Sequence, residues 1–107
     1  MEIRGLADEL GLDEEEVRGL VRTFLAASEQ DLNAIEEAWT RHDAQGLCAG
    51  AHHIKGAAAN LDLPLIAEAA RSIEENARMG DPVGPAAEIA VIRGQLEMLR
   101  SSLGGEG

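Results

Sequence analysis

Two adjacent histidines, His52 and His53, stand ahead of Ile54, Lys55 and Gly56, in a stretch that opens at Ala51 and continues through Ala57, Ala58 and Ala59 to Asn60 and Leu61. A neutral imidazole is a nucleophile at physiological pH, because its ordinary pKa lies near 6.5. A lysine one helical turn away can offset charge on the non-bridging oxygens of a phosphoryl group. Small residues on the same surface leave room for a second protein to approach. Phosphoryl transfer asks mainly for positioning and charge neutralisation, so this set can accept a phosphoryl group that another protein delivers. The chain has no glycine-rich phosphate loop and no Walker motif, so it does not read as a kinase.

The spacing says which histidine is presented. Leu47, Ala51, Ile54, Ala58 and Leu61 recur at intervals of 4, 3, 4 and 3, the mark of one buried helix stripe. At about 100° per residue, His52 projects roughly 140° from the centre of that stripe and faces solvent. Its neighbours on the helix surface are Cys48, Lys55, Gly56 and Ala59, all small apart from the lysine. Glycine inside a helix costs about 1 kcal/mol relative to alanine, and close approach of a partner is a sufficient reason for Gly56. His53 points about 100° away from His52, toward Ala57 and Asn60, and reads as a solvated side chain. Cys48 and His52 have a spacing that can hold a metal, but no second ligand pair accompanies them. Cys48 reads instead as a small residue at the edge of a binding face.

The elements that must position these residues are helical. A short helix from Ile3 to Leu10 stops at Gly11. Asp13 caps a second helix that runs to Arg41, with Glu14, Glu15 and Glu16 complementing its dipole. Val17, Val21, Phe24, Leu25, Leu32, Ile35 and Trp39 form its apolar face. Asp43 caps the third helix, over 43–61. The fourth tolerates Pro64 in its first turn and uses Leu65, Ile66, Ala69, Ile73 and Ala77. Residues 80–85 are the one clear loop. The last helix carries Ile89, Ile92, Leu96, Leu99 and Leu103, and the chain frays from Ser101 to Gly107. These elements predict an all-α fold, an antiparallel four-helix bundle over 13–103 with the short helix of residues 1–11 as a lid.

Composition agrees. The 107 residues are 45% apolar but only 2% aromatic, which suits closely packed helices rich in alanine and leucine better than a sheet. One domain fills this length. A net charge of −11 disfavours nucleic acid and anionic membrane surfaces. No apolar run is long enough to span a bilayer, and no signal peptide is visible at the N-terminus. One cysteine rules out an internal disulfide framework. A cytoplasmic address follows as the expectation, with a monomer as the expected state.

The run from Ala51 to Leu61 closely resembles the signature of histidine-containing phosphotransfer (HPt) domains. The resemblance extends to the leader from Leu6 to Asp13, the Phe24-Leu25 region, the His42-Asp43 turn and the helix from Leu65 to Arg78. It implies that His52 is the phosphoacceptor, Lys55 the phosphate-stabilising lysine and Gly56 the clearance residue, with Cys48 and Ala59 beside them on the partner-binding face. The implied function is that of a phosphoryl carrier, not an enzyme with its own catalytic domain, in a two-component phosphorelay. Its partners would be response-regulator receiver domains and a hybrid sensor histidine kinase, docking on the face of the second and third helices. It would need no cofactor of its own, the magnesium coming with the partner receiver. Two other readings share the fold: a non-catalytic module that binds and sequesters a receiver, and the substrate domain of a chemotaxis-type kinase with a C-terminal continuation. The sequence departs from the family at Asp62, where glycine is usual. An aspartate there is expected to cap the following helix.

Overall fold

The computed structural model describes residues 2–104. Five helices follow in order: α1 (Ile3–Leu10), α2 (Glu14–Thr40), α3 (Ala44–Asn60), α4 (Pro64–Arg78) and α5 (Ala86–Gly104). They form the expected bundle, with α1 laid on α2, and α3 packed most extensively against α4 and then α2. The molecule is elongated, 42 × 24 × 17 Å. Among the described residues no helix is long and apolar enough to cross a membrane.

Local chemistry sets the helix boundaries. Asp13 closes a capping box with Glu16: the Glu16 amide donates to Asp13 Oδ1 at 2.8 Å, and the Asp13 amide donates to Glu16 Oε1 at 3.2 Å. Asp43 caps α3 by accepting from the Gly46 amide at 3.0 Å. The C-termini of α1 to α4 share one device, a left-handed residue after the last turn whose successor reaches back five residues to a carbonyl of that turn. The pairs are Leu12 to Ala7, Asp43 to Ala38, Leu63 to Ala58 and Asp81 to Asn76. Glycine takes the left-handed position at Gly11 and Gly80, whereas His42 and Asp62 take it with φ of 58° and 57°.

Asp62 therefore ends α3 and does not cap α4. The N-cap of α4 is Leu63, which makes no side-chain cap bond, and Pro64 fills the first turn. A carboxylate in the left-handed position points away from the following amides, which is why the expected cap does not form. It faces α1 instead, where hydrogen bonding and like charge from Asp62 raise the pKa of Glu9 above the usual carboxylate value.

The core matches the apolar stripes. Leu47, Ala51, Ile54 and Ala58 are the buried residues of α3, and Leu61 is buried just beyond it. Val17, Val21, Phe24, Leu25, Leu32 and Ile35 are buried from α2, while Trp39 is only partly covered. In α4 the stripe is Ile66, Ala69, Ala70 and Ile73, and Leu65 lies outside it at 60% exposure. Leu65 sits in the first turn of α4, one residue before the buried stripe begins at Ile66. α5 buries Ile89, Ile92, Leu96 and Leu99 and stays helical through Gly104, beyond the expected fraying at Ser101; residues 105–107 of that expected tail lie outside the described residues.

Close approaches call for glycine at Gly50 and Gly84. A Cβ on Gly50 would stand 2.7 Å from Ile35 Cγ1, so the backbone of α3 lies directly against the Ile35 side chain of α2 there. Gly84, at φ 88°, lies under the Trp39 ring, 2.5 Å from where a Cβ would go to Cζ2. Trp39 thereby anchors the loop between α4 and α5 to the end of α2.

Candidate functional site

α3 presents His52 from the middle of its length, with the side chain 69% exposed. The ring is nevertheless fixed. Nδ1 lies 3.0 Å from Oε2 of Glu74, which projects from α4 and is only 3% exposed. Oε1 of the same carboxylate accepts from Lys55 Nζ at 2.6 Å, and Oε2 accepts from an Arg78 guanidinium nitrogen at 3.2 Å. One buried carboxylate thus gathers the histidine and two cations.

This arrangement favours the ionised form of Glu74. The hydrogen bond from Lys55 holds its pKa below the usual carboxylate value; burial pushes the other way and is outweighed once the His52 bond and the charges of Lys55 and Arg78 are added. An ionised carboxylate only accepts hydrogen bonds, so Nδ1 of His52 must carry the proton. In the neutral ring the Nε2 lone pair is then left on the far edge, away from Glu74.

The depressed pKa fixes a pH dependence. The stability that Glu74 contributes is fully present above its unfolded value near 4.5 and is lost as pH falls through the lower folded value. Glu74→Gln is expected to melt lower than the parent at neutral pH by on the order of 1–2 kcal/mol. That gap should stay constant from neutrality to about pH 5 and narrow below, in thermal melts across the range. A gap that widens on acidification would contradict the assignment.

The other predicted residues fall as follows. Lys55 lies on the same side as His52, one turn away, half-buried along its stem and directed at Glu74. Gly56 is exposed, and a Cβ there would meet nothing within 4 Å, so among the described residues no atom requires a glycine. Ala59 is exposed on the same helix surface. Cys48 is partly buried, and its thiol donates to the backbone carbonyl of Glu74 at 3.6 Å, tying α3 to α4 beneath the histidine. His53 is largely exposed, at 66% of its side chain, and its Nδ1 lies 2.6 Å from Asp31 Oδ2 on α2. The two histidines are thus held by different helices on opposite flanks of α3. Among the described residues no three histidine, cysteine, aspartate or glutamate side chains come together as a metal ion would need.

Sequence reasoning missed Glu74, Arg78 and Asp31. A signal for the first was present, since residue 74 lies eight positions after Ile66 and one after Ile73, on the apolar stripe of α4. An acid in such a place calls for a cation, and Arg78 follows at i+4. Asp31 gave no such signal, because it sits in an acidic helix face like any solvated charge.

The comparisons with known proteins agree with one another. The Hpt domain family matches residues 19–102. The solved crystal structure of histidine-containing phosphotransfer protein B (HptB) from Pseudomonas aeruginosa PAO1 is similar to this chain with a TM-score of 0.81 and 31% identity, covering 96% of this chain and 90% of that one. No curated protein matches. With a family match over most of its length, and a fold shared with a protein of that kind, the chain belongs to the Hpt domain family.

Proposed function

We propose that this protein carries a phosphoryl group on Nε2 of His52, relaying it between aspartates of response-regulator receiver domains. The observation that carries the reading is the bond from Nδ1 of an exposed His52 to the buried Glu74 carboxylate, which leaves Nε2 free and outward. Family membership supplies the reaction class.

In the forward step the Nε2 lone pair attacks the phosphorus of an aspartyl phosphate in line. The Nε2–P bond forms, the P–O bond to the aspartate breaks, and the aspartate leaves as a carboxylate. The ring gains positive charge as its lone pair is used, and the Glu74 carboxylate balances that charge through the Nδ1 proton, which stays between them. Lys55 offsets the charge of the phosphoryl oxygens. In the return step an aspartate oxygen of the next receiver attacks phosphorus and the lone pair goes back to Nε2. A receiver brings its own magnesium and docks around His52 and Gly56, with Cys48 and Ala59 at the margins of the contact and the α2–α3 face beneath it. The protein acts as a monomer in the cytoplasm, without a cofactor of its own.

The test is transfer of labelled phosphoryl from a phosphorylated receiver domain to the purified protein, followed by site mapping and nitrogen-15 NMR of the product. The expected label is acid-labile, alkali-stable and located on Nε2 of His52. Tight binding of receivers without any label would replace this reading with the sequestering module.

A further inference from the structure

We infer that Arg78 is a positioning residue for the loaded state: it keeps Glu74 charge-balanced when Lys55 gives up that carboxylate for the phosphoryl group on His52. The inference rests on His52 being the acceptor.

The unloaded site is balanced around Glu74. Lys55 is bonded to Oε1 at 2.6 Å and Arg78 to Oε2 at 3.2 Å. A phosphoryl group on Nε2 lies across the ring from Glu74 and adds roughly two negative charges at neutral pH. Lys55 is the cation on the histidine's own helix within one turn, and the new oxygens compete with Glu74 for it. Glu74, its side chain only 4% exposed, is set into α4 and cannot follow. If Lys55 leaves, Oε1 loses a charge-assisted bond inside the protein. Like charge then builds between carboxylate and phosphoryl across one imidazole.

Arg78 is suited to take over. It stands on α4 one turn after Glu74, its side chain is 64% exposed, and its bond to Oε2 is longer than that of Lys55 to Oε1. A guanidinium has a fork of donors that can span both oxygens of one carboxylate. The neighbouring Arg71 is engaged with Glu68 and Glu75 on the outer face of α4 and does not compete for the role. Cys48 contributes only its thiol bond to the Glu74 carbonyl. Arg78 is therefore a weak ion pair before loading and a strong one after it.

The experiment measures the half-life of isolated phosphorylated protein, and the equilibrium with a phosphorylated receiver, for the parent, Arg78→Gln, Arg78→Lys, Glu74→Gln and the Glu74→Gln/Arg78→Gln double variant. In hydrolysis water attacks phosphorus, the Nε2–P bond breaks and its electron pair returns to Nε2, so the half-life reports on the loaded state alone. Arg78→Gln should lower the loaded fraction at equilibrium, and shorten the half-life, by about five- to tenfold, the size of one ordinary net hydrogen bond, as befits a partner that is largely exposed. Arg78→Lys should restore most of it. In the Glu74→Gln background the same Arg78→Gln change should have almost no effect, because no carboxylate is left to balance. An effect of equal size in both backgrounds would overturn the inference, as would a loaded state indifferent to Arg78. Absence of label on the parent would instead remove the reading on which it rests.

Discussion

Replacing His52 with glutamine should abolish phosphoryl acceptance altogether while leaving the fold intact. A carboxamide nitrogen has no lone pair available for attack, and removal of a nucleophile is not compensated by neighbours that act only on charge. The ring is 69% exposed, so its loss opens no cavity. The glutamine amide can still donate toward Glu74, which also keeps Lys55 and Arg78. The melting temperature should stay within about 2 °C of the parent, as for other surface substitutions. His53→Gln is the internal control. His53 belongs to the α2 flank through Asp31 and is separated from the Glu74 carboxylate, so acceptance should persist. Label lost in His53→Gln and kept in His52→Gln would move the site to the Asp31 pair.

Ile54→Ala should have the largest effect on stability. Ile54 is 0% exposed and lies in the chain between His53 and Lys55. Truncating a fully buried isoleucine costs about 2–5 kcal/mol, the transfer term plus the cavity left where packing cannot collapse. For a domain of this size that corresponds to a drop of roughly 10–25 °C in melting temperature. α3 packs on both α2 and α4, so neither neighbour can move in without leaving the other. Below the new melting temperature the variant should still accept label on His52, because the groups that touch the ring are unchanged. Calorimetry beside the transfer assay separates the two. A drop of less than about 1 kcal/mol would mean that the core relaxes around the site.

The sequence disclosed the scaffold and the presented histidine because both follow from periodicity. The 4-3-4-3 stripe from Leu47 to Leu61 determined which face of α3 is buried and, by difference, that His52 is exposed. Caps at Asp13 and Asp43 were legible because their bonds are local. What escaped notice depended on contacts distant in the chain. Glu74 meets His52 across twenty-two positions, and no helical repeat can reveal which residue of α4 stands opposite it. The same holds for Asp31 and His53. Asp62 was misjudged for another reason: an aspartate before a helix serves as a cap only in an extended conformation, and here it has a positive φ.

His52 stands on the outer curve of a helix, supported from one side by Glu74 and open on the others. A site without walls cannot exclude water, hold a leaving group or set a trajectory by itself. Those tasks pass to whatever docks against it, so speed belongs to the encounter and idleness to the free protein. If His52 carries a phosphoryl group as proposed, a carrier built this way is insulated: its cargo should move quickly only within the right complex. On the proposed reading the site also imposes no direction of its own, since either of two similar partners could complete the same half-built surface. Signal fidelity then rests on which surface fits α3, while the chemistry on the ring stays common to all of them.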